Sequence, residues 1–66
     1  MTSVVTCTYD SADKVYNARD DLVATGIPQE EIFVEEDSNK IKVITPDITK
    51  PEIVEILSRH EPSQIN

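Results

Sequence analysis

Only a few side chains here can do chemistry: one cysteine, Cys7; one histidine, His60; and 13 carboxylates, alongside serines and threonines. Cys7 lies in the β-branched run Val4–Tyr9, where alternation sends Val5, Cys7 and Tyr9 to one face and Val4, Thr6 and Thr8 to the other. A metal-carrying strand end uses a pair of cysteines, and no second one exists. Cys7 is therefore expected to be a small buried hydrophobe. His60 falls at the end of a helical pattern, where an imidazole interacts favourably with the terminal carbonyls. A joint Cys7–His60 metal site would need two more ligands, and nothing in the chain nominates them. The carboxylate clusters Glu30-Glu31 and Glu35-Glu36-Asp37 fall at turns, whereas a catalytic pair needs a pocket that drives its two pKa values apart. Asp37-Ser38-Asn39 is too short a fragment for an EF-hand loop. A single glycine excludes the P-loop and the dinucleotide fingerprint, which need several. Serines and threonines are present without an identifiable base to orient them. The expectation is no enzyme: no catalytic, cofactor-binding or metal-binding residues, and no cofactor.

The elements that would position these residues read clearly. Strand one is Val4 to Tyr9. Asp10 and Ser11 are good N-caps, Asp13 places negative charge in the first turn, and a helix follows with Val15, Ala18 and Leu22 inward. Lys14, Asn17, Asp20 and Asp21 make its wet side. Gly26 in the left-handed conformation would close it, with Ile27 set to touch Leu22 in a Schellman ending and Pro28 preventing continuation. Ile32 to Glu35 reads as strand two and Lys40 to Thr45 as strand three, joined by the turn residues Glu36 to Asn39 into an antiparallel hairpin. Thr49 and Glu52 form a candidate capping box, with Ile48 and Ile53 as a hydrophobic staple. Ile53, Ile56, Leu57 and His60 then mark one face of a second helix, which ends before Pro62.

The order is βαββα. A right-handed crossover between strands one and two leaves room for strand three to insert between them. The expected fold class is α+β: a ferredoxin-like sandwich lacking its fourth strand, with a three-stranded antiparallel sheet and two helices on one face. Residues 1–62 are expected to form a single domain and residues 63–66 a frayed tail.

Size and charge narrow the function. A chain of 66 residues buries only about 60% of its unfolded surface, and one cysteine rules out an internal disulfide, so its core or self-association must hold it. Thirteen acidic against six basic residues give a formal charge of −7, which repels phosphate backbones and anionic lipid surfaces. Neither nucleic acid nor membrane is an expected partner. No apolar run approaches the roughly 18 residues of a membrane span, and MTSVVTCTYD lacks the features of a signal peptide. A cytoplasmic location is expected.

The stretch VVTCTYDSADKVYNARDDLVATGIPQEEIFVEED carries Tyr9-Asp10 at a strand end, Gly26-Ile27-Pro28 at a helix end and Glu30-Glu31 before Ile32. In these features it resembles the general-stress, heat-induced-stress type of small bacterial module. The resemblance spans about half the chain and implies a fold and a stress or regulatory association. It implies no catalytic residues.

If Val5, Cys7, Tyr9, Ile32, Val34, Ile41 and Val43 face the helices, then Val4, Phe33 and Ile44 point away with Thr6, Thr8, Glu35 and Lys42. An open sheet face carrying Phe, Ile and Val is unusual on a small acidic monomer. The favoured expectation is a non-catalytic interaction or regulatory module. Its surface is Val4, Thr6, Thr8, Phe33, Glu35, Lys42 and Ile44, and it pairs as a homodimer, or with another protein, through this face or the edge of strand one. The alternative is a domain responsive to a small molecule or metal bound near Cys7 or between helices and sheet.

Overall fold

The computed structural model describes residues 1–65. Strand β1 (Thr2–Thr8) leads through Ser11 into helix α1 (Ala12–Thr25), and strands β2 (Ile32–Glu35) and β3 (Lys40–Pro46) follow as a hairpin. Helix α2 (Lys50–Ser58) and strand β4 (Gln64–Ile65) complete the chain. The sheet order is β2-β3-β1-β4, with every neighbouring pair antiparallel. Strand β3 thus inserts between β1 and β2 as expected. No helix among the described residues is long and apolar enough to cross a membrane.

Local chemistry explains most boundaries. Ser11 is extended (φ −152°, ψ 154°) and its hydroxyl accepts from the Lys14 N–H, capping α1. At the other end Gly26 takes φ 110°, a left-handed value that costs a Cβ-bearing residue free energy. The Ile27 N–H reaches the Leu22 carbonyl and the Gly26 N–H the Val23 carbonyl, both at 3.1 Å, which is the Schellman pairing. Helix α1 turns Val15, Ala18 and Leu22 inward, and α2 turns in Ile53, Ile56 and Leu57. These join Val5, Cys7, Tyr9, Ile32, Ile41 and Val43 in one buried cluster, so both helices cover the same sheet face.

Three features differ from the sequence reading. First, the sheet has four strands, not three. The segment after α2 is short and interrupted by Pro62, yet Gln64 pairs with Thr8 and Ile65 with Cys7. The reversal is made by Glu61, whose φ of 56° swings the chain back, so that Pro62 sits in the turn rather than in the strand. The Ser63 N–H then donates to the Thr8 carbonyl at 2.7 Å and Ile65 packs against the core. The tail expected to fray is thus tied down over residues 63–65, and Asn66 lies outside the described residues.

Second, α2 starts without its capping box. A 3₁₀ turn (Asp47–Thr49) precedes it, which puts Thr49 at φ −92°, ψ −12°, inside the helical region, where its side chain makes no cap hydrogen bond. The same turn directs Ile48 outward, 90% exposed, so no staple forms. Third, strand one starts at Thr2 and stops at Thr8, short of Tyr9, and strand three runs one residue further, to Pro46, which pairs with Thr2.

Candidate interaction surface

Pairing register builds the open face row by row, because residues opposite each other in an antiparallel ladder project to the same side. Ile44 stands opposite Val4; Lys42 lies between Phe33 and Thr6; Lys40 lies between Glu35 and Thr8, with Gln64 beyond. All seven residues read from the sequence as an outward surface therefore share this face. Val4, Phe33 and Ile44 are exposed at 54%, 47% and 37%, whereas Thr6 and Thr8 are half-buried. Lys42 Nζ lies 2.9 Å from Glu35 Oε1, and that contact holds the Glu35 carboxyl below its ordinary pKa. The lysine head is thereby drawn toward the β2 side.

Charge is unevenly distributed. The face carries Lys40 and Lys42 against Glu35 alone, so of 6 cations and 13 carboxylates in the chain, four and twelve are left for the remaining surface. An acidic molecule thus presents one mildly basic, partly apolar side.

The edges of the sheet differ as well. Among the described residues β4 pairs only with Cys7 and Thr8, so no strand lies outside Thr2–Thr6 of β1. The β2 edge is flanked by Glu30 and Glu31 on one side and by Glu35, Glu36 and Asp37 on the other. Sequence reasoning missed this asymmetry, since it left the whole outer edge of β1 unpaired.

The residues weighed for chemistry lie elsewhere. Cys7 is wholly buried. Burial pushes its thiol pKa up, with the Tyr9 hydroxyl beside it pulling the other way. Tyr9 is 2% exposed and its hydroxyl donates to the Leu57 carbonyl at 2.7 Å, pinning β1 to α2. Burial, reinforced by Cys7, raises the tyrosine pKa well above its ordinary value. His60 lies just beyond α2, with Nε2 3.0 Å from Asp21 Oδ2, and Arg59 Nη1 lies 4.0 Å from the same oxygen. Asp21, read as part of the wet side of α1, is thus half-covered where the helices meet. No group of three or more His, Cys, Asp or Glu able to hold a metal occurs among the described residues. At the hairpin tip Val34, Glu35, Glu36, Asp37 and Ser38 line a shallow groove, and Tyr16 donates its hydroxyl to Glu36 across from α1.

Comparison with protein-family models, with curated proteins and with solved structures finds no match to this chain.

Proposed function

We propose that this chain is a non-catalytic protein-interaction module whose working surface is the open face of its sheet. The observation that carries the reading is the concentration of exposed Val4, Phe33 and Ile44, with Lys40 and Lys42, on the one side that the helices leave bare. Apolar surface gathered on a face with little repulsive charge is what a protein partner needs for docking. The βαββαβ element order, with β3 between β1 and β2, supports reading the scaffold as ferredoxin-like. The lone unpaired thiol fits a cytoplasmic setting, since nothing in the chain needs an oxidising compartment.

A protein fits this face better than a nucleic acid does. Single-stranded RNA is held on such sheets by aromatic side chains stacked under successive bases. Here the aromatic residue is Phe33 alone, on the edge strand, while β1 and β3 present Val4, Thr6, Lys42 and Ile44. The charge of −7 opposes a phosphate backbone in addition.

The test is site-specific photocrosslinking in cells, with a benzophenone side chain at Phe33 and, as control, at Asp20 on the outer side of α1. Discrete protein adducts from position 33 and none from position 20 are expected. Equal adducts from both positions, or none from position 33, would remove the face from the proposal. A rise in melting temperature with a divalent cation or a metabolite would instead favour the sensing alternative, because a ligand that binds the native state stabilises it.

A further inference from the structure

We infer that the stretch of the β1 edge that no described residue covers, Thr2–Thr6, is a strand-pairing site for a second copy of this chain. The inference goes beyond the interaction reading: it adds a contact between two copies at the β1 edge, separate from the face proposed for a protein partner.

The Thr8 carbonyl accepts from Ser63 on the β4 side, whereas the Tyr9 N–H donates to Asn39 on the β3 side. Successive residues of a strand direct their backbone groups to opposite edges, so Thr2, Val4 and Thr6 point theirs the same way as Thr8, outward. An edge of this kind invites another strand unless charge, proline or a bulge blunts it. From Thr2 to Thr8 the chain has none of the charged residues or prolines that do so.

Self-pairing separates the two edges. Two β2 strands laid antiparallel about the Phe33–Val34 step would bring the 3₁₀ turn Gln29–Glu31 of one copy, with Glu30 and Glu31, beside the turn Glu36–Ser38 of the other, with Glu36 and Asp37, so that acidic ends meet. That edge repels its own copy. Two β1 strands laid antiparallel about Val4 set Val4 opposite Val4, Thr2 opposite Thr6 and Ser3 opposite Val5. No side-chain charge enters, and the valine and threonine pairs are of the kind that stabilise a ladder. For a molecule of charge −7, a neutral edge is where two copies meet with least repulsion. The arrangement has two-fold symmetry and therefore closes as a dimer rather than growing into a fibre. It also joins the two open faces into one, with Val4 and Ile44 of both copies at the seam.

The experiment is sedimentation equilibrium on the wild type and on three variants whose folding is checked by circular dichroism. Val4→Pro removes an outward N–H that the β3 ladder does not use, Val4→Lys charges the seam, and Phe33→Glu charges the open face at the far edge. The wild type is expected to dimerise, both Val4 variants to associate at least about tenfold more weakly, and Phe33→Glu to stay within about threefold of wild type. If Val4→Pro does not fold, Val4→Lys decides, together with the Val4 amide, whose hydrogen exchange must slow as protein concentration rises. A wild type that stays monomeric at high micromolar concentration overturns the inference. So does a dimer lost in Phe33→Glu but kept in Val4→Lys, which would mean that the faces stack. Face-specific crosslinks to a different protein alongside a monomeric wild type would leave the interaction reading standing without this dimer.

Discussion

At the scale of the residue, the most consequential contact lies inside the core rather than on the surface. Cys7 and Tyr9 leave β1 on the same side, and the Tyr9 hydroxyl finds the Leu57 carbonyl near the end of α2. Both side chains carry ionisable groups whose charged forms burial disfavours, so both pKa values are raised in the folded chain. The native state therefore holds its protons at pH values where the unfolded chain releases them. Stability from these groups is full below the unfolded values, 9.0 for the thiol and 10.0 for the phenol, and falls as pH rises beyond them. Thermal melting between pH 8 and 11 is expected to show a steep alkaline loss, and Tyr9→Phe a shallower one on a lower plateau, by about 0.5–1.5 kcal/mol, because the bond to the Leu57 carbonyl is lost while the His60 N–H still serves that oxygen. An identical alkaline slope in Tyr9→Phe would mean that the phenol is not responsible. In the same pH range Cys7 should react slowly with a thiol reagent in native protein and quickly in denaturant. Fast labelling of native protein would contradict its burial.

At the scale of the element, the two helices begin differently despite similar sequence signals. Ser11 is extended and its hydroxyl caps the Lys14 N–H, so Ser11→Ala is expected to cost about 0.5–1 kcal/mol. Thr49 lies in helical backbone with no such bond, so Thr49→Ala should change stability by less than about 0.5 kcal/mol. Urea denaturation of the two variants compares them directly. A larger loss at Thr49 than at Ser11 would show that the capping box does form in solution. The 3₁₀ turn that displaces the box is itself tied to the start of β1: the Asp47 N–H donates to the Met1 carbonyl at 3.0 Å and Ser3 donates to the Asp47 carboxylate. The strand outcompetes the cap for control of the backbone. At the other end of α2, His60 and Arg59 meet Asp21 of α1, so the helix ends against its neighbour rather than in water.

At the scale of the whole molecule, charge sets the terms. The chain carries −7 within extents of 30 × 21 × 20 Å, and at ~0.01 M ionic strength the screening length of about 30 Å spans it entirely. Its carboxylates repel one another across the fold, which destabilises the compact state. Adding a non-binding salt to ~0.5 M is expected to raise the melting temperature at fixed protein concentration. A fall would mean that ion pairs such as Lys42–Glu35 and Arg59–Glu55 outweigh the repulsion. Salt should also strengthen self-association, since it screens two bodies of like charge.

The sequence alone determined what depends on nearest neighbours along the chain. Alternation in β1, β2 and β3 assigned the core residues Val5, Cys7, Ile32, Ile41 and Val43 and the outward residues Val4, Phe33 and Ile44, because a period of two is a property of the extended backbone. Gly26-Ile27-Pro28 carried its Schellman ending for the same reason: the left-handed turn and its bonds lie within six residues. Only the tertiary structure decided the rest. Gln64–Ile65 is too short and too polar to read as a strand. It becomes one because β1 offers an open edge beside it and Ile65 a place against the core. The pairing of Asp21 with His60 spans 39 residues, and the replacement of the α2 cap follows from a contact with the first residue of the chain. That β4 pairs with Cys7 and Thr8, and not with another stretch of β1, likewise follows from where the turn after α2 delivers it. Local chemistry sets an element's identity and facing, but its last few hydrogen bonds go to whatever the fold brings alongside.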